Sequence, residues 1–176
     1  MSWRIRNATG ADSAAAAGVV KAVFDEYGFT WEPDRYHADL YDLDAHYLTL
    51  GDRFWVAEGT THVLATAGLE FFDRLPGEVG QTTLVCDAVR AAGSDCSLER
   101  LYVHPDARRR GLGAALFETA VNAAREAGRT AMEIWSDKQF GDAHRLYQRY
   151  GAVIVGDRVC QDDPDKAEEW GLVLKL

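Results

Sequence analysis

The chain has 176 residues, with 19 Lys plus Arg against 28 Asp plus Glu and a formal net charge of −9. That length suits one domain with a real hydrophobic core, and that charge argues against broad nucleic-acid binding, which needs a phosphate-neutralising surface. An acidic chain tolerates, and weakly attracts, a cationic substrate, although plain solubility explains the same number.

Trp3 and Ile5 read as a short first strand, and residues 1–6 lack the long apolar core of a signal peptide or anchor. Residues 12–27 read as a helix that Asp12 or Ser13 can cap, with Val19, Val20, Val23 and Phe24 on its apolar side. Residues 31–47 are aromatic and acidic, with Pro33 near the start, and predict a second, less regular helical segment. Asp34, Asp39, Asp42 and Asp44 crowd it, as a solvated face or as a substrate-attracting rim. Residues 54–58 and 61–71 read as paired strands around a turn at Gly59.

Residues 74–95 hold Pro76, Gly77, Gly80 and Gly93 but also an apolar run at 84–86, which predicts a long connection with an extra strand or short helix. A strand at 97–103, a charged turn at 104–110 and an alanine-rich helix at 111–127 follow, the helix ending at Gly128. A strand at 131–135, a short helix at 142–150 stopped by Gly151, and closing strands at 152–155 and 170–176 complete one mixed α/β domain. Cys86, Cys96 and Cys160 are isolated, which fits a reducing cytosol and neither a disulfide framework nor a zinc site. His37, His46, His62, His104 and His144 show no metal-ligand spacing, and no stretch approaches membrane-spanning length.

The most informative stretch is Leu101-Tyr102-Val103-His104-Pro105-Asp106-Ala107-Arg108-Arg109-Arg110-Gly111-Leu112-Gly113. A strand runs into a basic turn, and the turn into a helix with two close glycines. Positions without side chains let a ligand approach the backbone. First-turn amides lack intrahelical partners, and the helix dipole favours an anion there. Three consecutive arginines add positive charge to an acidic chain, so the stretch suits a di- or triphosphate. It lacks the Gly-Lys-Ser/Thr ending of a P-loop, and its Gly-x-Gly follows a long arginine turn where the dinucleotide fingerprint follows a strand directly.

Residues 98–116 resemble the acetyl-CoA-binding motif of the GNAT N-acetyltransferases, Arg/Gln-x-x-Gly-x-Gly/Ala after a strand and a Val-x-Pro turn. Arg108, Gly111 and Gly113 fill the signature, and Val103 and Pro105 precede it. Residues 143–152 are similar to the family's later motif, Ala-x-x-Leu-Tyr-x-x-x-Gly-Phe, with Ala152 at the final Phe and Phe140 at a preceding Asn. The resemblance implies a mixed, mostly antiparallel central sheet flanked by helices, the GNAT-type acyl-CoA N-acyltransferase fold, with residues 1–176 as a single domain. It implies acetyl-CoA as the acyl donor, its pyrophosphate held by the amides of Arg109, Arg110, Gly111, Leu112, Gly113 and Ala114. The backbone of Leu101, Tyr102 and Val103 pairs with the pantetheine arm like an added strand, on a strand splayed from its neighbour.

Transfer to an amine needs a neutral amine, a donor for the oxyanion and a proton for the leaving thiolate. The resemblance makes Tyr147 the general acid, arriving protonated because a free tyrosine has a pKa of about 10. It points to backbone N–H near Val103 as the oxyanion donor. Glu99 is the first candidate base and Glu70 the second, with water alone as an alternative. Strand alternation places Glu99 with Leu101 and Val103, opposite Arg100 and Tyr102. Trp31, Tyr36, Tyr41 and Tyr47 lie where the family builds its acceptor wall; Trp31, Tyr36 and Glu70 are the candidate substrate contacts. The expected partner is a small amine, with no nucleic acid, membrane or metal, in the cytoplasm, and a homodimer is left open. A protein N-terminal or lysine acetyltransferase and a non-catalytic acyl-CoA-binding module are the alternatives.

Overall fold

The computed structural model describes residues 2–176; Met1, the start of the segment read as free of a targeting signal, lies outside the described residues. The chain forms two compact units. One comprises residues 2–70 with 99–120, and the other residues 71–98 with 121–176.

In the first unit β1 (Arg4–Asn7) pairs antiparallel with β2 (Arg53–Glu58), from Arg4 opposite Glu58 to Asn7 opposite Trp55. β2 pairs antiparallel with β3 (Val63–Phe71). β3 is buried without a break from Val63 to Leu69, which is why it reads as a nearly continuous apolar run and not as an alternation. α1 (Ser13–Tyr27) buries Ala16, Ala17, Val19, Val20, Val23 and Phe24, the helical spacing expected of it. Asp12 stands at the N-cap position but does not cap through its side chain. Its carboxylate accepts from the Thr9 amide at 2.8 Å and from the two Arg6 terminal nitrogens at 2.8 Å each. The Arg6 hydrogen bonds hold it down, at about 2. α1 ends at Gly28, whose φ of 72° is the left-handed C-cap that glycine takes without strain.

Residues 31–48 are irregular, as Pro33 suggested. Turns lead to a short 3-10 segment, Ala38–Tyr41, and one π-helical turn, Asp44–Leu48. Leu40, Leu43 and Tyr47 from this stretch share an apolar cluster with Phe24, Phe54 and Val56.

In the second unit the stretch read as a long connection forms a hairpin, β4 (Thr82–Val85) and β5 (Ala88–Ala91). Its turn residues Cys86 and Asp87 are both left-handed, with φ of 48° and 64°. A two-residue turn of that hand matches strand twist. Glycine and asparagine are its usual markers, so Cys-Asp concealed it in the sequence. β7 (Ala131–Asp137) pairs antiparallel with β9 (Glu168–Lys175), which pairs antiparallel with β8 (Val153–Val159). β7 carries Glu133, which is 1% exposed and accepts from Arg90 Nε at 2.6 Å, the Ala91 amide at 2.8 Å and Trp135 Nε1 at 3.0 Å. Those three donors are what let a carboxylate sit buried.

β6 (Cys96–Val103) contributes to both units. Its Cys96–Leu98 portion pairs parallel with β7, and its remainder, in the first unit, neighbours β3. α2 (Leu112–Glu126) follows β6, and α3 (Gly141–Arg149) follows β7. The architecture is thus mixed and mostly antiparallel, flanked by helices, as the sequence led us to expect.

Candidate functional site

β6 ends at Val103, and the His104 amide donates to Leu64 O at 2.8 Å, which ties the following turn to β3. Pro105–Ala107 make one 3-10 turn, with His104 Nδ1 accepting from the Asp106 amide at 3.3 Å. Next come two left-handed residues two positions apart, Arg109 with φ 63° and Gly111 with φ 80°. Backbone that alternates hand turns successive N–H groups toward a common concavity, an anion-binding arrangement. The Ala115 amide donates to Gly111 O at 3.0 Å, so the helical ladder opens at Gly111. The amides of Leu112, Gly113 and Ala114 are those that a helix start leaves without an intrahelical acceptor.

Around Gly111 the space is open: among the described residues, no heavy atom beyond Gly111 and its two chain neighbours lies within 4 Å of where a Cβ would stand. Leu112 is buried, as are Leu116 and Phe117, so its side chain anchors the helix and only its amide is left for a ligand. Arg109 and Arg110 are exposed, and Arg110 Nη2 donates to Asp106 O at 2.9 Å. Arg108 has a different engagement. It forks onto Glu26 in the last turn of α1, Nη1 to Oε1 at 3.0 Å and Nη2 to Oε2 at 2.5 Å. The signature arginine therefore braces the turn against α1, and the solvent-facing charge comes from its two neighbours.

Upstream on β6, Arg100 has a φ of 47°, a left-handed residue inside a strand. Thr66 Oγ1 on β3 donates to Arg100 O at 2.8 Å, which holds the kink. The Arg100 guanidinium grips Asp39, Nε to Oδ2 at 2.9 Å and Nη2 to Oδ1 at 2.8 Å, and donates to Tyr36 O at 2.6 Å. It also lies over the Tyr36 ring, 5.1 Å from the centroid. Burial opposes the Arg100 charge, but the Asp39 carboxylate more than offsets it and keeps the guanidinium well above its ordinary range. Tyr47 Oη donates to Asp39 Oδ2 at 2.8 Å. Burial, then the charges of Asp39 and Glu99, push the Tyr47 phenol well above its ordinary range.

Gly68 makes room for this group. A Cβ there would stand 3.1 Å from Tyr47 Cε1 and 3.2 Å from both Glu99 Cβ and Phe54 Cδ2. Glu99 thus sits beside Tyr47, in the surroundings of the Asp39–Arg100 pair. The alternation expected to set Glu99 opposite Arg100 is interrupted, because a left-handed residue breaks the two-residue period of a strand.

Of the predicted acceptor-wall residues, Trp31, Tyr36 and Tyr41 group around His37, whereas the Tyr47 ring packs on Phe54, 5.0 Å between centroids. Trp31 stacks on His37 with centroids 3.8 Å apart, and its Nε1 donates to Tyr41 Oη at 3.2 Å. Phe24 and Tyr36 meet the same imidazole edge-on, at 4.6 Å and 4.8 Å. His37 is fully buried; Nδ1 accepts from the Glu32 amide at 3.1 Å and Nε2 has no hydrogen-bond partner among the described residues. Burial, aided by the Arg100 charge, lowers His37 from 6.5 to about 4. Tyr102 of β6 joins this group, 6.1 Å from Phe24. Glu70 stands near the end of β3, half-buried.

The first unit therefore contains the arginine turn, residues 101–103, Glu99, Trp31, Tyr36 and Glu70. Tyr147 belongs to the second. It is buried on α3, one helical turn after His144, whose Nε2 lies 3.1 Å from Ser136 Oγ. Burial lowers the His144 pKa, which favours the neutral ring. Arg100, His37 and Glu26 were not singled out as functional; Asp39 was read only as one acid of a solvated face or substrate-attracting rim, and Tyr47 only as part of the acceptor wall. Asp39 and Arg100 lie 61 positions apart, and no local pattern announces a pair at that separation. Among the described residues no group of three or more His, Cys, Asp or Glu is placed to hold a metal ion.

The model of the acetyltransferase (GNAT) family matches residues 19–152. No curated protein matches the chain in sequence. Among solved structures, an acetyltransferase of the GNAT family from Staphylococcus aureus Mu50 superposes with a TM-score of 0.75 at 15% identity, covering 99% of each chain. The yncA protein of Salmonella typhimurium, solved with its cofactor acetyl-CoA, has a TM-score of 0.71 at 20% identity, covering 100% of this chain and 95% of that one. A ribosomal-protein-alanine N-acetyltransferase from Brucella melitensis has a TM-score of 0.68 at 20% identity, covering 98% of this chain and 99% of that one. At these identities the likeness establishes a shared fold.

Proposed function

The chain belongs to the acetyltransferase (GNAT) family, and from that premise we propose that it transfers acetyl from acetyl-CoA to the primary amine of a small molecule by direct attack in a ternary complex. The observation that carries this reading is the arginine turn, where left-handed Arg109 and Gly111 lead into α2 and nothing obstructs Gly111.

Acetyl-CoA supplies the activated acetyl thioester. The amides from Arg109 to Ala114 hold its pyrophosphate, and exposed Arg109 and Arg110 attract it; Arg108 keeps the turn in place through Glu26. The backbone of Leu101, Tyr102 and Val103 aligns the arm, with an N–H near Val103 facing the carbonyl oxygen. A Glu99 carboxylate oxygen accepts a proton from the incoming ammonium, so that the amine attacks in its neutral form. Tyr147 Oη gives a proton to the departing sulfur. Trp31 and Tyr36, backed by the buried His37, form the wall that receives the body of the acceptor. It suits a small, partly apolar amine, because its members are packed on one another and pinned to β6 by Arg100. Glu70 contacts the acceptor from the end of β3.

The test has two steps. Calorimetric titration of the folded protein with acetyl-CoA is expected to show micromolar binding. An acceptor panel of small amines, amino acids, peptides with free N-termini and lysine peptides, followed by release of the CoA thiol, is then expected to show turnover of a small amine. Turnover confined to peptides would replace the small-molecule reading with protein acetylation. Binding without turnover of any acceptor would leave an acyl-CoA-binding module.

A further inference from the structure

The segment that carries Trp31, Tyr36 and His37 is built from turns and short helical pieces, so no long hydrogen-bonded ladder fixes its place against the sheet. Arg100 of β6 supplies the tie. Its guanidinium takes both Asp39 oxygens, Nε to Oδ2 at 2.9 Å and Nη2 to Oδ1 at 2.8 Å, and Nη2 also donates to Tyr36 O at 2.6 Å. A planar fork on a carboxylate fixes direction as well as distance, which a single ammonium does not. Leu40, the next residue, is fully buried in the core, so the segment is held at Tyr36, Asp39 and Leu40.

The same carboxylate is linked to the candidate base in two ways. Arg100 is the residue after Glu99. Asp39 Oδ2 also accepts from Tyr47 Oη at 2.8 Å, and the Tyr47 ring, packed on Phe54, meets Glu99 at the space that Gly68 leaves without a side chain. Two physical costs collect at this point. Arg100 holds a left-handed φ of 47°, which the Cβ of an L-residue disfavours. The ion pair, with side chains only 13% and 18% exposed, gives up hydration for its attraction. A largely buried pair is weak evidence for stability, and its better attested use is to fix one arrangement among several. Strain held beside a candidate base fits that use.

We propose that Asp39 is a positioning residue for acetyl transfer: gripped by Arg100 and Tyr47, it holds the acceptor wall and Glu99 in one frame and so sets how an amine is placed for attack. The assignment rests on the small-amine transfer reading. The arginine turn is braced separately, by Arg108 on Glu26, so loss of the Asp39 frame leaves donor binding intact.

Asp39→Asn, Arg100→Lys and Tyr47→Phe are compared with wild type by calorimetric titration with acetyl-CoA and by steady-state release of the CoA thiol with 2-phenylethylamine, tyramine, n-butylamine and 1,4-diaminobutane. Asp39→Asn removes the charge and nearly keeps the shape; Arg100→Lys keeps the charge and removes the fork, and serves alone if the first variant does not fold. For each amine that wild type acetylates, both are expected to lower kcat/KM by roughly ten- to hundredfold, the scale of a misplacement of about 1 Å, with acetyl-CoA affinity as in wild type. Tyr47→Phe keeps the fork and the ring and is expected to lose less than either. Added to Glu99→Gln, whichever fork variant folds is expected to lower kcat by less than it does alone, because it acts through Glu99. A lower Tm with wild-type kcat/KM in the folded fork variants would overturn the assignment and leave the pair structural. Fully additive losses with Glu99→Gln, or a parallel loss of acetyl-CoA affinity, would also overturn it. Wild-type protein that binds no acetyl-CoA, or acetylates none of these amines, would bring down the small-amine transfer reading itself, a different result.

Discussion

His37 makes the aromatic group proposed as the acceptor wall sensitive to acid. The ring is fully buried between Trp31, Phe24 and Tyr36, and its Nδ1, where a second proton would go, already accepts from the Glu32 amide. Burial, reinforced by the positive Arg100, lowers its pKa from 6.5 to about 4. The unfolded chain therefore binds a proton in a range where the folded chain does not. The stability at stake is fully present above pH 6.5 and is lost as the pH falls toward 4. Over that window the shift corresponds to about 3 kcal/mol, at about 1.4 kcal/mol per pKa unit. Asp12 acts elsewhere: its stabilising ion pair with Arg6 is lost only between 3.8 and about 2. Urea unfolding followed by tryptophan fluorescence at intervals from pH 4 to 7.5 measures the slope. His37→Asn keeps an acceptor for the Glu32 amide and removes the titrating ring. Its absolute stability falls with the lost Trp31 stack, but the pH dependence in this window is expected to flatten. A residual slope of the same sign is expected from His144, whose pKa is also lowered by burial. A His37→Asn protein with the full wild-type slope would refute the reasoning.

Gly111→Asp is expected to fold and to lose acetyl-CoA binding in calorimetry. Gly111→Ala has room for its Cβ and suffers mainly the left-handed backbone, about 1 kcal/mol in denaturant unfolding. Tyr147→Phe is expected to lower kcat by roughly ten- to hundredfold with acetyl-CoA affinity little changed, whereas a packing tyrosine would lower Tm and leave turnover near normal. Glu99→Gln is expected to lower kcat/KM most at low pH, where the acceptor amine most needs a base; a pH profile parallel to wild type would remove Glu99 from that role. Asp39→Asn strands the half-buried Arg100 charge and is expected to cost about 3 kcal/mol in chemical unfolding.

The sequence by itself determined most of the elements and the arginine turn. The apolar spacing of α1, the strand pair around Gly59, the glycines closing α2 and α3, and the run from Arg108 to Gly113 are local patterns, because helix periodicity, chain reversal and a helix start are local physics. The resemblance at 98–116 identified the family for the same reason: its signature lies within one turn. What the sequence left open depends on residues distant in the chain. Nothing in the sequence indicates that Arg108 forks onto Glu26, 82 positions earlier. Asp39 reads as one more solvated acid until Arg100 and Tyr47 converge on it. The strand through Glu99 and Arg100 reads as alternating until the left-handed φ at Arg100 interrupts the period. The hairpin at residues 82–91 was hidden because Cys86 and Asp87 adopt a conformation usually marked by glycine or asparagine. Each of these was decided by tertiary structure, since the pairing of buried charges and the tolerance of a strained backbone are set by what packs against them, and that partner is rarely a neighbour in sequence.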